Sequence, residues 1–184
     1  MRKILVYIIS CLSITLMAQE KEILPYYEIP AVAKEYTEGT VASRMVDGLG
    51  FRYYWATEGL RPEDLAYKAN ESGRSSGETI EHLYGLSNFI LSYIIKDFKR
   101  VDGKEMTFDE KRKQTLLNFK KASDILRTSE DLSQFDNEMY PFWNVINGPI
   151  ADALWHCGQV VMLRRASGNP FNSKVSVFQG RLKD

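Results

Sequence analysis

Two segments decide the fold: SSGETIEHLYGLSNFILSYI, residues 75–94, and PIADALWHCGQVVMLRR, residues 149–165. The first reads as a helix that opens on Ser75 and Glu78, three residues apart. Their side chains can each satisfy the other's orphan backbone N–H in a capping box. Ile80, Leu83, Leu86, Ile90 and Ile94 follow at helical spacing. This helix is expected to reach about Phe98, before the Val101-Asp102-Gly103 turn breaks it. In the second segment Gly148 serves as N-cap and Pro149 as the first helical residue, a position that tolerates its missing N–H. That helix runs to about Arg165, where Ser167-Gly168-Asn169-Pro170 stops it. The same two segments hold the only histidines of the 184-residue chain, His82 and His156.

Working outward, two more helices are predicted. One spans about Thr37 to Thr57, with Val41, Met45, Leu49, Ala56 and Leu60 as its apolar face and Gly59 and Pro62 as its stop. Pro25 and Pro30 make the preceding segment an extended lead-in. The other opens on a second capping box, Thr107 and Glu110, and carries Phe108, Leu116, Phe119 and Leu126. Residues 128–146 are less regular, and the tail after Pro170 reads as extended chain or a short strand. Four amphipathic helices with little strand pattern predict an all-α fold, a four-helix bundle. The long connections around residues 60–74 and 128–148 leave room for crossovers in place of simple up-down topology.

The chain opens MRKILVYIISCLSITLMAQE. Arg2 and Lys3 form a basic start, Ile4 to Met17 an apolar run, and Ala18 a small residue at a cleavage point. The pattern predicts a signal peptide over residues 1–18 and an exported, periplasmic domain over 19–184. Ile8-Ile9-Ser10-Cys11 resembles a lipoprotein box. It is disfavoured because cleavage there falls in the middle of the apolar run. Loss of residues 1–18 leaves 22 basic against 24 acidic residues. A near-neutral domain without a Lys/Arg block argues against nucleic acid or an anionic membrane as partner of the mature form. Cys157 is then the one remaining cysteine, so no internal disulfide is available.

The chemistry concentrates on His82, Asp152 and His156. Asp152 and His156 are four residues apart, one turn along the same helical face. If the two histidine-bearing helices pack together, two imidazoles and one carboxylate form a ligand set suited to a divalent metal. Each residue also has a simpler reading: a lone helical histidine is often a structural hydrogen-bonding group, and a carboxylate in a first turn complements the helix dipole. Among the neighbours, Gln159 is placed either to hydrogen-bond His156 or to face solvent. Gly158 suggests close helix packing, Trp155 packing, and Cys157 a small buried group. Tyr53, Tyr54 and Trp55 read as core and rim, a tyrosine that reaches the site being a proton donor. Arg164 and Arg165 are expected on the last carbonyls of their own helix.

Glu78 followed by Glu81-His82-Leu83, together with Asp152–Arg165, resembles the DinB-like proteins, a damage-inducible four-helix-bundle family of metal-dependent enzymes. Asp47-Gly48-Leu49, Glu58-Gly59-Leu60 and Asp64-Leu65 add to the resemblance. It covers about Ala33 to Pro170 and is most specific over His156-Cys157-Gly158-Gln159 to Arg164-Arg165. It implies a stress-related protein with a divalent metal (Zn²⁺, Ni²⁺, Fe²⁺ or Mn²⁺) on one histidine of the second helix and two ligands of the fourth. His82 and His156 fall on two of those positions. Asp152 stands where the family usually has histidine, which lowers the site's charge by one and favours harder metals. The implied activity is transfer or hydrolysis by a metal-activated thiol or water on a small-molecule substrate, and relatives are often homodimers. Export weighs against a thiol cosubstrate. The alternative is a non-catalytic extracytoplasmic bundle that binds a metal or small ligand.

Overall fold

The computed structural model describes residues 23–184; the expected signal peptide, Cys11 included, lies outside the described residues. Four long helices, α1 (Glu38–Thr57), α3 (Ser76–Ile94), α4 (Phe108–Arg127) and α6 (Ala151–Ala166), form the bundle. Shorter pieces, α2 (Pro62–Ala66) and α5 (Trp143–Val145), sit in the long connections. Around the bundle α1 packs on α4, α4 on α3, α3 on α6, and α6 back on α1. The chain therefore crosses the bundle between α1 and α3 and again between α4 and α6, as the long connections allow. A two-stranded hairpin, β1 (Val175–Ser176) with β2 (Arg181–Leu182), pairs Val175 with Leu182 and closes the tail.

The helix starts follow from their caps. Ser75 Oγ accepts from Glu78 N at 3.1 Å while Ser75 N donates to Glu78 Oε2 at 2.7 Å. Thr107 and Glu110 repeat the arrangement, at 3.3 and 2.7 Å. Thr37 and Thr40 do the same for α1, with the Thr40 hydroxyl taking the place of a carboxylate. Each cap is worth about 1 kcal/mol. Gly148 breaks the helical geometry (φ −88°, ψ −107°) where the sequence places a break. However, it and Pro149 lie inside a π-helical turn, Ile146–Ile150, and α6 starts only at Ala151 with Ile150 as its N-cap. The short α5 turn before it falls in the irregular stretch 128–146.

One further boundary and one face differ from expectation. α3 stops at Ile94 rather than Phe98, because Ile95 is extended (φ −113°, ψ 112°) and Asp97, at φ 58°, then turns the chain. On α1, Val41 and Met45 are exposed, whereas Ala42, Val46, Leu49, Tyr53 and Ala56 are buried. Apolar residues stand at adjacent positions, 41/42 and 45/46, so periodicity alone leaves the face ambiguous by one residue. Gly39 settles it: a Cβ there would lie 2.3 Å from Leu126 O, so this edge of α1 must face α4.

Buried charges tie the layers together. Arg164 is only 2% exposed. It does not serve its own helix: Nη1 donates to Trp55 O (3.1 Å), Ala56 O (3.0 Å) and Glu58 O (3.0 Å) at the end of α1. Those carbonyls lack helical partners at a C-terminus. Asp47, fully buried, accepts from Ser123 Oγ at 2.6 Å and from Arg127, joining α1 to α4. Asp64 accepts from Arg61, Ser167 Oγ (2.6 Å) and Asn169 Nδ2 (2.6 Å), joining α2 to the end of α6.

Arg164→Met is expected to cost about 3 kcal/mol or more, since it strands several buried carbonyls at once; urea unfolding measures it. A second expectation concerns acid. The Arg61 side chain above all, then Ser167 and Asn169, hold the Asp64 carboxyl well below the usual carboxylate range. A carboxyl whose folded pKa is depressed stabilises the fold above its unfolded pKa, about 3.9, and loses that contribution as pH falls. Asp64→Asn should therefore be less stable than wild type at pH 7, with the gap closing below about pH 4. A gap that stays constant with pH would assign the effect to packing instead.

Candidate metal centre

α3 and α6 pack side by side, and the three sequence-selected residues meet where they do. His82 lies in the second turn of α3. Asp152 and His156 occupy the first two turns of α6, stacked one above the other. Leu83 and Ile80 on α3, with Ala153 and Cys157 on α6, are buried beneath them, which leaves the adjacent residues 82, 152 and 156 along the outer seam. Helical spacing on two packed elements is thus enough to build the cluster.

The Asp152 carboxylate stands between the two rings. Oδ2 is 3.2 Å from His82 Nε2, and Oδ1 is 3.3 Å from His156 Nε2. The rings meet edge to face, centroids 4.5 Å apart at 83°. One ligand atom from each residue can be chosen so that all three lie within 4.8 Å of one another. Donors about 2.1 Å from a common ion, at tetrahedral or cis-octahedral angles, are separated by about 3.0–3.4 Å. The two N–O spacings fall in that range. Asp152 sits in the first turn of α6, where a carboxylate complements the helix dipole, and its oxygens are directed at the two histidine rings.

Gln159 completes the arrangement. Its Oε1 lies 2.7 Å from His156 Nδ1. The Gln159 amide thereby pins the far side of the ring and leaves His156 Nε2 facing Asp152 Oδ1 at 3.3 Å, an approach favoured by a proton or a bound cation between nitrogen and carboxylate. Holding the second ring nitrogen in this way is how protein scaffolds orient metal-binding histidines. Of the two roles open to Gln159 from sequence, hydrogen bonding and exposure, both apply: it is exposed and bonded to His156.

The centre opens to solvent. Side-chain exposure is 35% for His82, 41% for Asp152 and 13% for His156. A groove of about 660 Å³ runs from His156 past Gln159, Trp155, Met162, Thr79 and Arg74. Trp155 is 75% exposed and walls this groove, which corrects the expectation that it packs in the interior. Gly158 also lines the groove, and a Cβ there would meet nothing within 4 Å, so it serves no close helix contact. Arg74 and Thr79 were not singled out from sequence. Arg74 precedes the α3 cap and carries no periodic signal, and Thr79 reads as an ordinary first-turn residue.

The remaining candidates take structural roles. Cys157 is buried, and burial pushes its thiol up to about 12, far from a reactive thiolate. Tyr53 is fully buried, edge-on to Phe119 at 5.9 Å, and no tyrosine lines the groove. Trp55 is buried with Nε1 donating to Tyr27 O. Glu81 is exposed and paired with Lys111. Comparison with protein-family models, curated proteins and solved structures finds no match for the chain.

Gln159→Ala should weaken divalent-metal affinity about 10–100-fold with the fold unchanged. Competitive titration of Co²⁺ or Zn²⁺ against a chromophoric chelator measures this. Unchanged affinity would mean that the His156–Gln159 hydrogen bond does not orient a ligand.

Proposed function

We propose that this protein is an exported four-helix-bundle protein of the DinB-like kind that binds one divalent metal ion on His82, Asp152 and His156. The observation that carries the reading is the convergence of two imidazole nitrogens on one carboxylate, with Gln159 against the second ring nitrogen of His156. A cation at that point uses all three groups as ligands. Two nitrogens and one oxygen suit Zn²⁺, Ni²⁺, Fe²⁺ or Mn²⁺. The DinB-like assignment rests on the residues quoted from the two histidine helices and on the bundle. Export rests on the basic, apolar and small-residue pattern of residues 1–18. None of the described helices is long and apolar enough to cross a membrane.

Simple metal binding accounts for every feature of the trio without a reaction. A catalytic reading is favoured by one further observation, the groove beside His156. Structural metal sites are closed by four protein ligands, whereas catalytic sites keep a position for water or substrate. Three ligands on a half-exposed seam leave such a position. A bound metal would supply Lewis acidity and lower the pKa of a water or thiol. The chain's own part is to orient His156 through Gln159, hold His82 and Asp152 on packed helices, and offer Trp155 and Met162 as an apolar wall for a small molecule. With no buried acid or base lining the groove, hydrolysis or thiol transfer would depend on the metal for activation.

Metal content of the untagged mature protein by plasma mass spectrometry, after add-back of each candidate ion, tests the binding proposal. Near one ion per chain is expected, falling to background in His156→Ala and in Asp152→Ala while circular dichroism stays the same. Background metal in wild type and variants alike would overturn it and leave a hydrogen-bonded His–Asp–His cluster.

A further inference from the structure

A second pocket of about 310 Å³ lies between α1, α6 and the C-terminal hairpin, away from the His82–Asp152–His156 seam. Its floor and walls are apolar: Phe51 and Trp55 from α1, Leu154 and Val161 from α6, Phe171 and Val175 from the tail. Phe51, Trp55 and Val175 form a small buried cluster separate from the main core. Two arginines also line the pocket, Arg52 from α1 and Arg165 from α6. Neither has a carboxylate partner among the described residues. Arg52 Nη1 donates to Gly48 O at 2.9 Å, and the Arg165 guanidinium rests 5.5 Å above the Phe171 ring. Arg61, Arg112 and Arg127, by contrast, are paired with Asp64, Glu58 and Asp47.

Two guanidiniums without a carboxylate partner thus border one apolar pocket. Each keeps N–H donors in a fixed fork that matches a carboxylate. Pockets that combine apolar walls with a few convergent polar groups are the ordinary form of a small-molecule site. At roughly 30 Å³ per water-sized group, the volume admits on the order of ten non-hydrogen atoms. We propose that this pocket binds a small amphipathic monocarboxylate, a medium-chain alkyl or aryl acid. The apolar body lies against Phe51, Trp55 and Val175, and the carboxylate is held by Arg52 and Arg165. The proposal is independent of the metal centre, since the pocket shares neither histidine nor Asp152.

Isothermal titration of the mature protein with octanoate tests this, with octan-1-ol as the uncharged probe of the same length. Saturable one-to-one octanoate binding is expected, at least tenfold tighter than octanol. Arg165→Gln and Arg52→Gln should each weaken octanoate about tenfold and leave octanol unchanged, while His156→Ala and metal removal leave both unchanged. No saturable octanoate binding overturns the proposal. So does octanol binding as tightly as octanoate, which would make the pocket an uncharged apolar cleft. Loss of octanoate binding in His156→Ala also overturns it, by placing the carboxylate on the metal instead. The octanol comparison needs no variant, so it decides the matter even if an arginine substitution perturbs folding.

Discussion

Arg164 is a charged side chain almost wholly removed from water, and it fixes where α6 sits along α1. A buried guanidinium is tolerable only when its donors are satisfied. Here the donors go to the stranded carbonyls of Trp55, Ala56 and Glu58 and to Asn169 O at 2.7 Å. Two deficits cancel: a helix end without donors and a cation without acceptors. Because the bond set is specific, α6 cannot slide by a turn without breaking all of it. His156 and Asp152 lie two and three turns back along the same helix, about 12 and 18 Å from Arg164. The geometry of the His82–Asp152–His156 cluster is therefore set partly from the far end of α6, while Asp64, Ser167 and Asn169 brace that end against α2.

At the seam the energetics differ. The residues beneath His82, Asp152 and His156 are apolar and closed, so the helix backbones are held, yet the polar side chains are only partly covered. Hydrogen bonding, rather than burial, arranges them. Gln159 holds the Nδ1 side of His156, and Asp152 spans both rings. Water on the open side would supply any remaining ligands of an ion, and the same openness makes the adjoining groove accessible to a small molecule.

Much of this was legible from sequence where the signal is local. The capping boxes at Ser75/Glu78 and Thr107/Glu110, the break at Gly148-Pro149 and the pairing of Asp152 with His156 all depend on residues within one or two turns. The bundle followed from four such helices, and the crossovers from the length of their connections. What escaped was information carried between helices. Val41 and Met45 looked like core because α1 is apolar at adjacent positions; only the contact of Gly39 with α4 decides the face. Arg164 was assigned to its own carbonyls because its true acceptors lie more than a hundred residues away. Trp155 and Gly158 were read by residue type as packing groups, but both line an open groove. Arg165 was assigned with Arg164 to the end of its own helix, yet its guanidinium lies over the Phe171 ring. Arg52 carries no sequence signal at all, since an unpaired charge is visible only once its surroundings are known.

The central claim is that one cation occupies the point between His82 Nε2, Asp152 and His156 Nε2. The most direct measurement is anomalous diffraction at the absorption edge of zinc from crystals of the mature protein loaded with Zn²⁺. The expected result is a single anomalous peak about 2.0–2.2 Å from both Nε2 atoms and an Asp152 oxygen. Fully loaded crystals with no peak at this point, or with the metal held elsewhere on the chain, would contradict the claim.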